Sequence, residues 1–138
     1  MTDRKIKKLR IFALKRFHSW AKKHELTDAL LQRAVEEIEA GIVEANLGGN
    51  LYKKRIATKG RGKSGSVRTL LAYFAGNKTI YLYAFEKSQR ANITEKEKLA
   101  LQELGNFYLK MNDKELEARL KSGAIVEILE AKEKKDGR

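Results

Sequence analysis

Lys53, Arg55 and Arg68 are the side chains whose types and spacing best suit chemistry on a polyanion. Residues 51–57 (LYKKRIA) and 66–74 (SVRTLLAYF) read as strands, and alternate residues of a strand share a face. Lys53 and Arg55 therefore point one way, and Tyr52, Lys54 and Ile56 the other. Pairing the two runs across the loop between them sets Arg55 near Arg68. Like charges opposite one another destabilise a sheet, so such a pair implies an anion held between them. The plainer reading, cations that deter edge pairing, does not require arginines on two neighbouring strands. Lys87 and Arg90 follow a third strand-like run, 79–85 (TIYLYAF). Five cations from three adjacent segments are thus expected to line one concave surface.

Such a surface suits phosphoryl chemistry. Were the polyanion RNA, attack of a ribose 2′-hydroxyl on the adjacent phosphate would need a base, an acid and cations around the developing negative charge. Lys53, beside Lys54 and Arg55, is the lysine best placed to be held neutral as the base. Arg55 and Arg68 would stabilise the phosphorane, with Arg90 and Lys87 gripping flanking phosphates. Lys54, Lys59, Arg61 and Lys63 add charge along the same stretch and would serve as RNA-binding residues if that polyanion is RNA.

Residues 51–92 hold ten basic side chains and one acid, Glu86, and so carry nine of the chain's twelve net positive charges. That imbalance is the footprint of a nucleic-acid-binding surface. GRGKSG (60–65) invites comparison with a Walker A loop, but Ala57 stands where its first glycine belongs, and a strand rather than a helix follows. A cationic loop, with Arg61 and Lys63 on glycines that allow close backbone approach to an anion, fits those residues better.

Other chemistries find little support. The chain has 138 residues and no cysteine, which excludes disulfides and thiolate metal sites and suits a reducing cytoplasm. His18 and His24 are six apart and outside the basic stretch, so no metal site or cofactor is expected from them. No apolar run approaches the roughly 18–20 residues of a membrane span. The basic N-terminus has too short an apolar stretch for a secretory signal. Among the aromatic residues Tyr73, Tyr81, Tyr83 and Phe85, most should be core, with one at the sheet edge available to stack on a base.

The surrounding elements read as a scaffold. Residues 9–14 (LRIFAL) fit a strand or a helix start equally. FHSWAKKH is a short helix with Phe17 and Trp20 on one side. Thr27 or Asp28 caps a helix over about 28–40 whose apolar stripe is Leu31, Ala34, Val35 and Ile38, and Gly41 ends it. Gly48-Gly49-Asn50 turns the chain into the strand runs, and residues 75–78 close a hairpin. Thr94-x-x-Glu97 is a capping box opening a helix striped by Leu101, Leu104, Tyr108 and Met111. A second helix, with Asn112 or Asp113 at its start and Gly123 at its end, leads to a possible last strand, AIVEIL (124–129). The order predicts an α+β fold: an antiparallel meander with N-terminal helices on one face, followed by C-terminal helices. One domain is expected over 1–130, then a solvated tail at 131–138.

The run "LGG..YKKR.A..G.GKSG..RTL.A" followed by "Y.F.K..R.NI" resembles the RelE/HigB-like toxins of bacterial toxin–antitoxin pairs, especially the HigB-type branch, over roughly residues 10–110. The resemblance implies a microbial-RNase-type α+β fold, ribosome-dependent cleavage of messenger RNA and neutralisation by a cognate antitoxin. It places the first-strand cations of such toxins on Lys53 and Arg55, the second-strand arginine on Arg68, and the basic segment after the sheet on Lys87 and Arg90. A further arginine and a tyrosine of the family site fall on Ser88 and Thr94, neither of which can do the same chemistry. The general acid and base are therefore unassigned by sequence. A gyrase inhibitor on the same fold and a non-enzymatic RNA- or DNA-binding module are the alternatives.

Overall fold

The computed structural model describes residues 9–58 and 66–129. Lys59, Arg61, Lys63, the loop that carries them and the expected tail at 131–138 lie outside the described residues. The chain runs β1 (Arg10–Leu14), α1 (Lys15–Lys23), α2 (Asp28–Glu39), β2 (Ala45–Gly48), β3 (Leu51–Ala57), β4 (Ser66–Phe74), β5 (Lys78–Glu86), α3 (Glu95–Leu109), α4 (Asp113–Ser122) and β6 (Ile125–Ile128). The α+β class holds. Six strands form one sheet in the order β2-β3-β4-β5-β1-β6, antiparallel except where β1 runs parallel to β5.

Local signals account for most boundaries. Thr27 accepts from the Leu30 N–H at the start of α2, and both Thr94 and Asn112 complete capping boxes with Glu97 and Glu115. Gly123 ends α4 at φ 85°, a conformation that glycine adopts without the penalty of a Cβ. The ambiguous run 9–14 is a strand, because its apolar residues are buried between β5 and β6. Sequence reading left residues 42–47 unassigned, and there β2 forms an edge hairpin with β3.

Helices cover both faces of the sheet. On one face, α1 and α2 bury Phe17, Leu31, Val35 and Ile38 against Ile56, Val67, Leu71 and Tyr81. On the other, Tyr108, Met111 and Leu116 from the C-terminal helical region pack on Leu51, Leu70, Ile80, Leu82 and Phe85. Tyr81 is fully buried, stacks on Phe17 at 4.9 Å, and donates its hydroxyl to the Leu31 carbonyl at 2.8 Å. Burial raises its pKa, as expected for a phenol removed from water.

A β-bulge decides which residues reach the site. Leu70 pairs with Tyr83 and Leu71 with Tyr81, so Leu82 is skipped in the register. Simple alternation would put Tyr81, Tyr83 and Phe85 on one face. The extra residue resets the period, so Tyr81 stays under α1 while Tyr83 and Phe85 turn to the α3 side.

Candidate nucleic-acid interface

The α3 side of the sheet carries two rows of residues. Lys53, Leu70 and Tyr83 pair laterally across β3, β4 and β5, and next to them lie Arg55, Arg68 and Phe85. The Arg55–Arg68 opposition expected from strand alternation is present in the register. Directly opposed cross-strand side chains start only ~5 Å apart at Cβ, so these two guanidiniums need a counter-charge or must splay.

Carboxylates from outside the basic stretch supply much of that charge. Arg68 Nε lies 2.9 Å from Glu44 Oε1, and its side chain is only 12% exposed. Glu44 sits just ahead of β2, where its N–H donates to the Lys53 carbonyl at 3.0 Å. The carboxylate that aligns Arg68 is thus set by the β2–β3 pairing, an element invisible in the sequence pattern.

Arg90 is held by several partners. Its Nη2 lies 2.6 Å from Glu97 Oε1, its Nη1 donates to Tyr83 Oη at 3.1 Å, and its Nε donates to the Asn92 carbonyl at 3.0 Å. The guanidinium also stands 5.9 Å from the Tyr83 ring centroid and 5.7 Å from that of Phe85. The hydrogen bond to Glu97 raises the Arg90 pKa further. The same bond, with the Thr94 N–H, lowers that of Glu97 to about 2. Asn92 links this cluster to β3 by accepting from Lys53 Nζ at 3.4 Å.

The site residues expected from sequence therefore divide. Lys53, Arg55, Arg68 and Arg90 come from the same side of the sheet; Arg55 is exposed and also borders a cleft beside Arg33 and Glu37 of α2. Lys87 is exposed on the turn after β5. Lys54 is separated from them. It is 5% exposed on the opposite face, with Nζ 2.7 Å from Glu37 Oε1 and 3.2 Å from the Ile42 carbonyl, which leaves no surface for RNA contact. Lys78, another cation of the basic stretch, donates to the carbonyls of Leu109 and Met111 at 3.0 and 3.2 Å and so closes the end of α3. Charge counting treats these cations alike; burial does not.

The two positions that depart from the family site have clear local roles. Thr94 spends its hydroxyl as the N-cap of α3, and Ser88 is exposed in a turn. The phenol against Arg90 comes instead from Tyr83. Among the described residues no group of three or more His, Cys, Asp or Glu is placed to hold a metal ion. None of their helices is long and apolar enough to cross a membrane.

The matching family model settles the kinship: it describes the RelE toxin of the RelE/RelB toxin–antitoxin system and matches residues 9–128. The chain belongs to the RelE toxin family. Comparison with curated proteins returns no similar sequence. Membership makes this RelE-family chain a toxin of a toxin–antitoxin pair, with an antitoxin as partner. Within that fold, α3 anchors the site at both ends. Its first turn holds Arg90 through Glu97. Further along, Gln102 donates to the carbonyls of Leu47 and Gly48, and Asn106 to that of Gly49, fixing the turn that leads into β3.

Proposed function

We propose that this RelE-family toxin is a ribosome-dependent endoribonuclease of the HigB-type branch, acting in the cytoplasm on messenger RNA. The observation that carries the reading is the convergence of Lys53, Arg68 and Arg90 on one sheet face, with the Tyr83 hydroxyl 3.1 Å from Arg90. The 2′-hydroxyl attacks the neighbouring phosphorus, the P–O5′ bond breaks, and a 2′,3′-cyclic phosphate and a free 5′-hydroxyl result. Arg68 and Arg90, with Arg55 beside them, stabilise the charge that builds on the phosphorane oxygens. Lys53 and Lys87 hold the flanking phosphates.

Two groups outside the cationic set complete the chemistry. In this reading Lys53, which donates toward Asn92, is a phosphate-binding side chain rather than the base expected from sequence. Glu44, aligned by Arg68, is the proton acceptor for the 2′-hydroxyl. Tyr83 accepts from Arg90 and keeps its own proton to give to the leaving 5′-oxygen. The ribosome supplies the alignment of the message.

Induction of the protein, followed by mapping of message 5′ ends, tests the reading. Codon-spaced cuts within translated regions are expected, and they should vanish in Arg68→Ala and fall steeply in Tyr83→Phe while both variants stay folded. Intact messages with DNA damage would favour gyrase inhibition on the same fold. Full growth inhibition by a folded Arg68→Ala protein would sink the assignment.

A further inference from the structure

Beside Arg90 the sheet has an opening that runs from the cleavage site toward α1. β1 pairs with β5 only through Arg10–Ala13 opposite Lys78–Tyr81. Among the described residues, the β1-side edge of β5 from Leu82 to Glu86 therefore has no β1 ladder partner, and the Glu86 carbonyl at its end accepts from the Gln89 and Arg90 N–H groups at 2.8 and 3.2 Å. A cleft of about 350 Å³ follows this edge, bordered by Trp20, His24, Tyr83, Phe85, Gln89 and Arg90. That volume lies within the usual range for a site that takes a small planar group.

Two features mark the group that would fit. The Trp20 and His24 rings are stacked, with centroids 3.7 Å apart and planes inclined by 12°. A carbonyl can only accept, so the 2.8 Å contact between His24 Nδ1 and the Trp20 carbonyl places the proton on Nδ1 and leaves Nε2 as an acceptor in the neutral ring. A half-buried aromatic stack, a strand edge beyond the end of its ladder and an imidazole acceptor suit the reading of an unstacked base in single-stranded RNA. Arg90 borders this cleft and also contacts Tyr83 in the cleavage site, so a phosphate at Arg90 would deliver its neighbouring base here.

We infer that the cleft between α1 and this edge of β5 is a subsite for one nucleobase flanking the scissile phosphate, extending the Trp20–His24 stack. The inference rests on the reading of this protein as an RNA-cleaving toxin. A strand of a protein partner is the less suitable occupant, because α1 packs against β5 and carries Trp20 and His24 beside that edge.

The chain has a single tryptophan, so the wild-type protein reports on the subsite directly. Short single-stranded RNAs with 2′-O-methyl groups, which block cleavage, would be titrated at low salt. Binding is followed by anisotropy of a labelled RNA end and occupancy of the cleft by Trp20 fluorescence. The expected result is a fluorescence change that disappears when one nucleotide of the RNA is made abasic. That abasic RNA should bind roughly 5- to 100-fold more weakly. His24→Ala should weaken the intact RNA to a similar extent while leaving affinity for the abasic RNA unchanged. Lys53→Ala should weaken both RNAs alike and preserve the fluorescence change at saturation.

RNA binding by anisotropy with unchanged Trp20 fluorescence, and no abasic effect, would overturn the subsite and leave the RNA reading intact. A His24→Ala variant that melts earlier but binds normally would assign the stack to capping of α1 alone and overturn it equally. A fluorescence response to the antitoxin but not to RNA would make the edge a protein interface. No RNA binding at any salt concentration would remove the reading beneath the inference and the inference with it.

Discussion

Arg90 and Glu97 meet at 2.6 Å through a carboxylate oxygen that also accepts the Thr94 N–H at 2.7 Å. One atom thus closes the capping box of α3 and orients a guanidinium of the candidate site. Helix initiation and site geometry are coupled here, because Glu97 cannot leave Arg90 without also loosening the first turn of the helix.

This coupling carries a pH signature. Folding lowers the Glu97 pKa from its ordinary 4.5 to about 2, chiefly through the Arg90 hydrogen bond. A carboxylate whose pKa is depressed on folding contributes stability that is complete above about pH 4.5 and is lost as the pH falls toward 2. Glu97→Gln lacks this contribution. Melting curves should show the wild-type protein more stable than Glu97→Gln at pH 6, with the gap closing between pH 4.5 and 2. A gap that stays constant over that range would mean the pair contributes nothing through charge.

Lys53 and Lys54 are adjacent in sequence and should behave oppositely. Lys53→Ala is expected to lower cleavage at least ~10-fold, a typical effect of losing one positioned charge near a reacting phosphate, with little change in melting temperature. Lys54→Ala strands Glu37 and the Ile42 carbonyl and should destabilise the fold by about 2 kcal/mol. Measuring cleavage per folded molecule alongside thermal melting separates the two effects.

Lys78 is expected to matter for α3 rather than for RNA. Its Nζ satisfies two carbonyls at the end of that helix. Lys78→Met keeps the stem and removes the donor, which should cost about 1–3 kcal/mol. Salt-dependent RNA affinity should stay as in the wild type, in contrast to Lys53→Ala.

Gly105 lets α3 approach the sheet closely. A Cβ built there would lie 2.6 Å from the Ala72 Cβ and 3.3 Å from Leu82 Cδ1. Gly105→Val should therefore lower stability by about 1–3 kcal/mol through overpacking, despite removing a helix glycine. A compensating Ala72→Gly change should restore part of the loss, which a double-mutant cycle would detect.

Much of this protein is legible in its sequence because the signals are local. Strand alternation and a short loop suffice to oppose Arg55 and Arg68, and Thr94-x-x-Glu97 announces its own capping box. The helix stripes at Leu31–Ile38 and Leu101–Met111 predict which sides are buried. These features depend on residues within a turn or a hairpin of one another, where chain geometry leaves few alternatives.

The candidate site depends on contacts that only tertiary structure decides. Glu44 reaches Arg68 because β2 pairs beside β3, and Glu37 reaches Lys54 because α2 covers the opposite face. The bulge at Leu82 parts Tyr83 from Tyr81 although the sequence sets both at strand spacing. Basic residues that look equivalent along 51–92 become an exposed cation, a buried ion pair or a helix cap according to what packs against them. Sequence alone located the charge and paired two of its arginines. Which cations remain exposed was set by long-range packing, because burial and counter-charges come from segments far away along the chain.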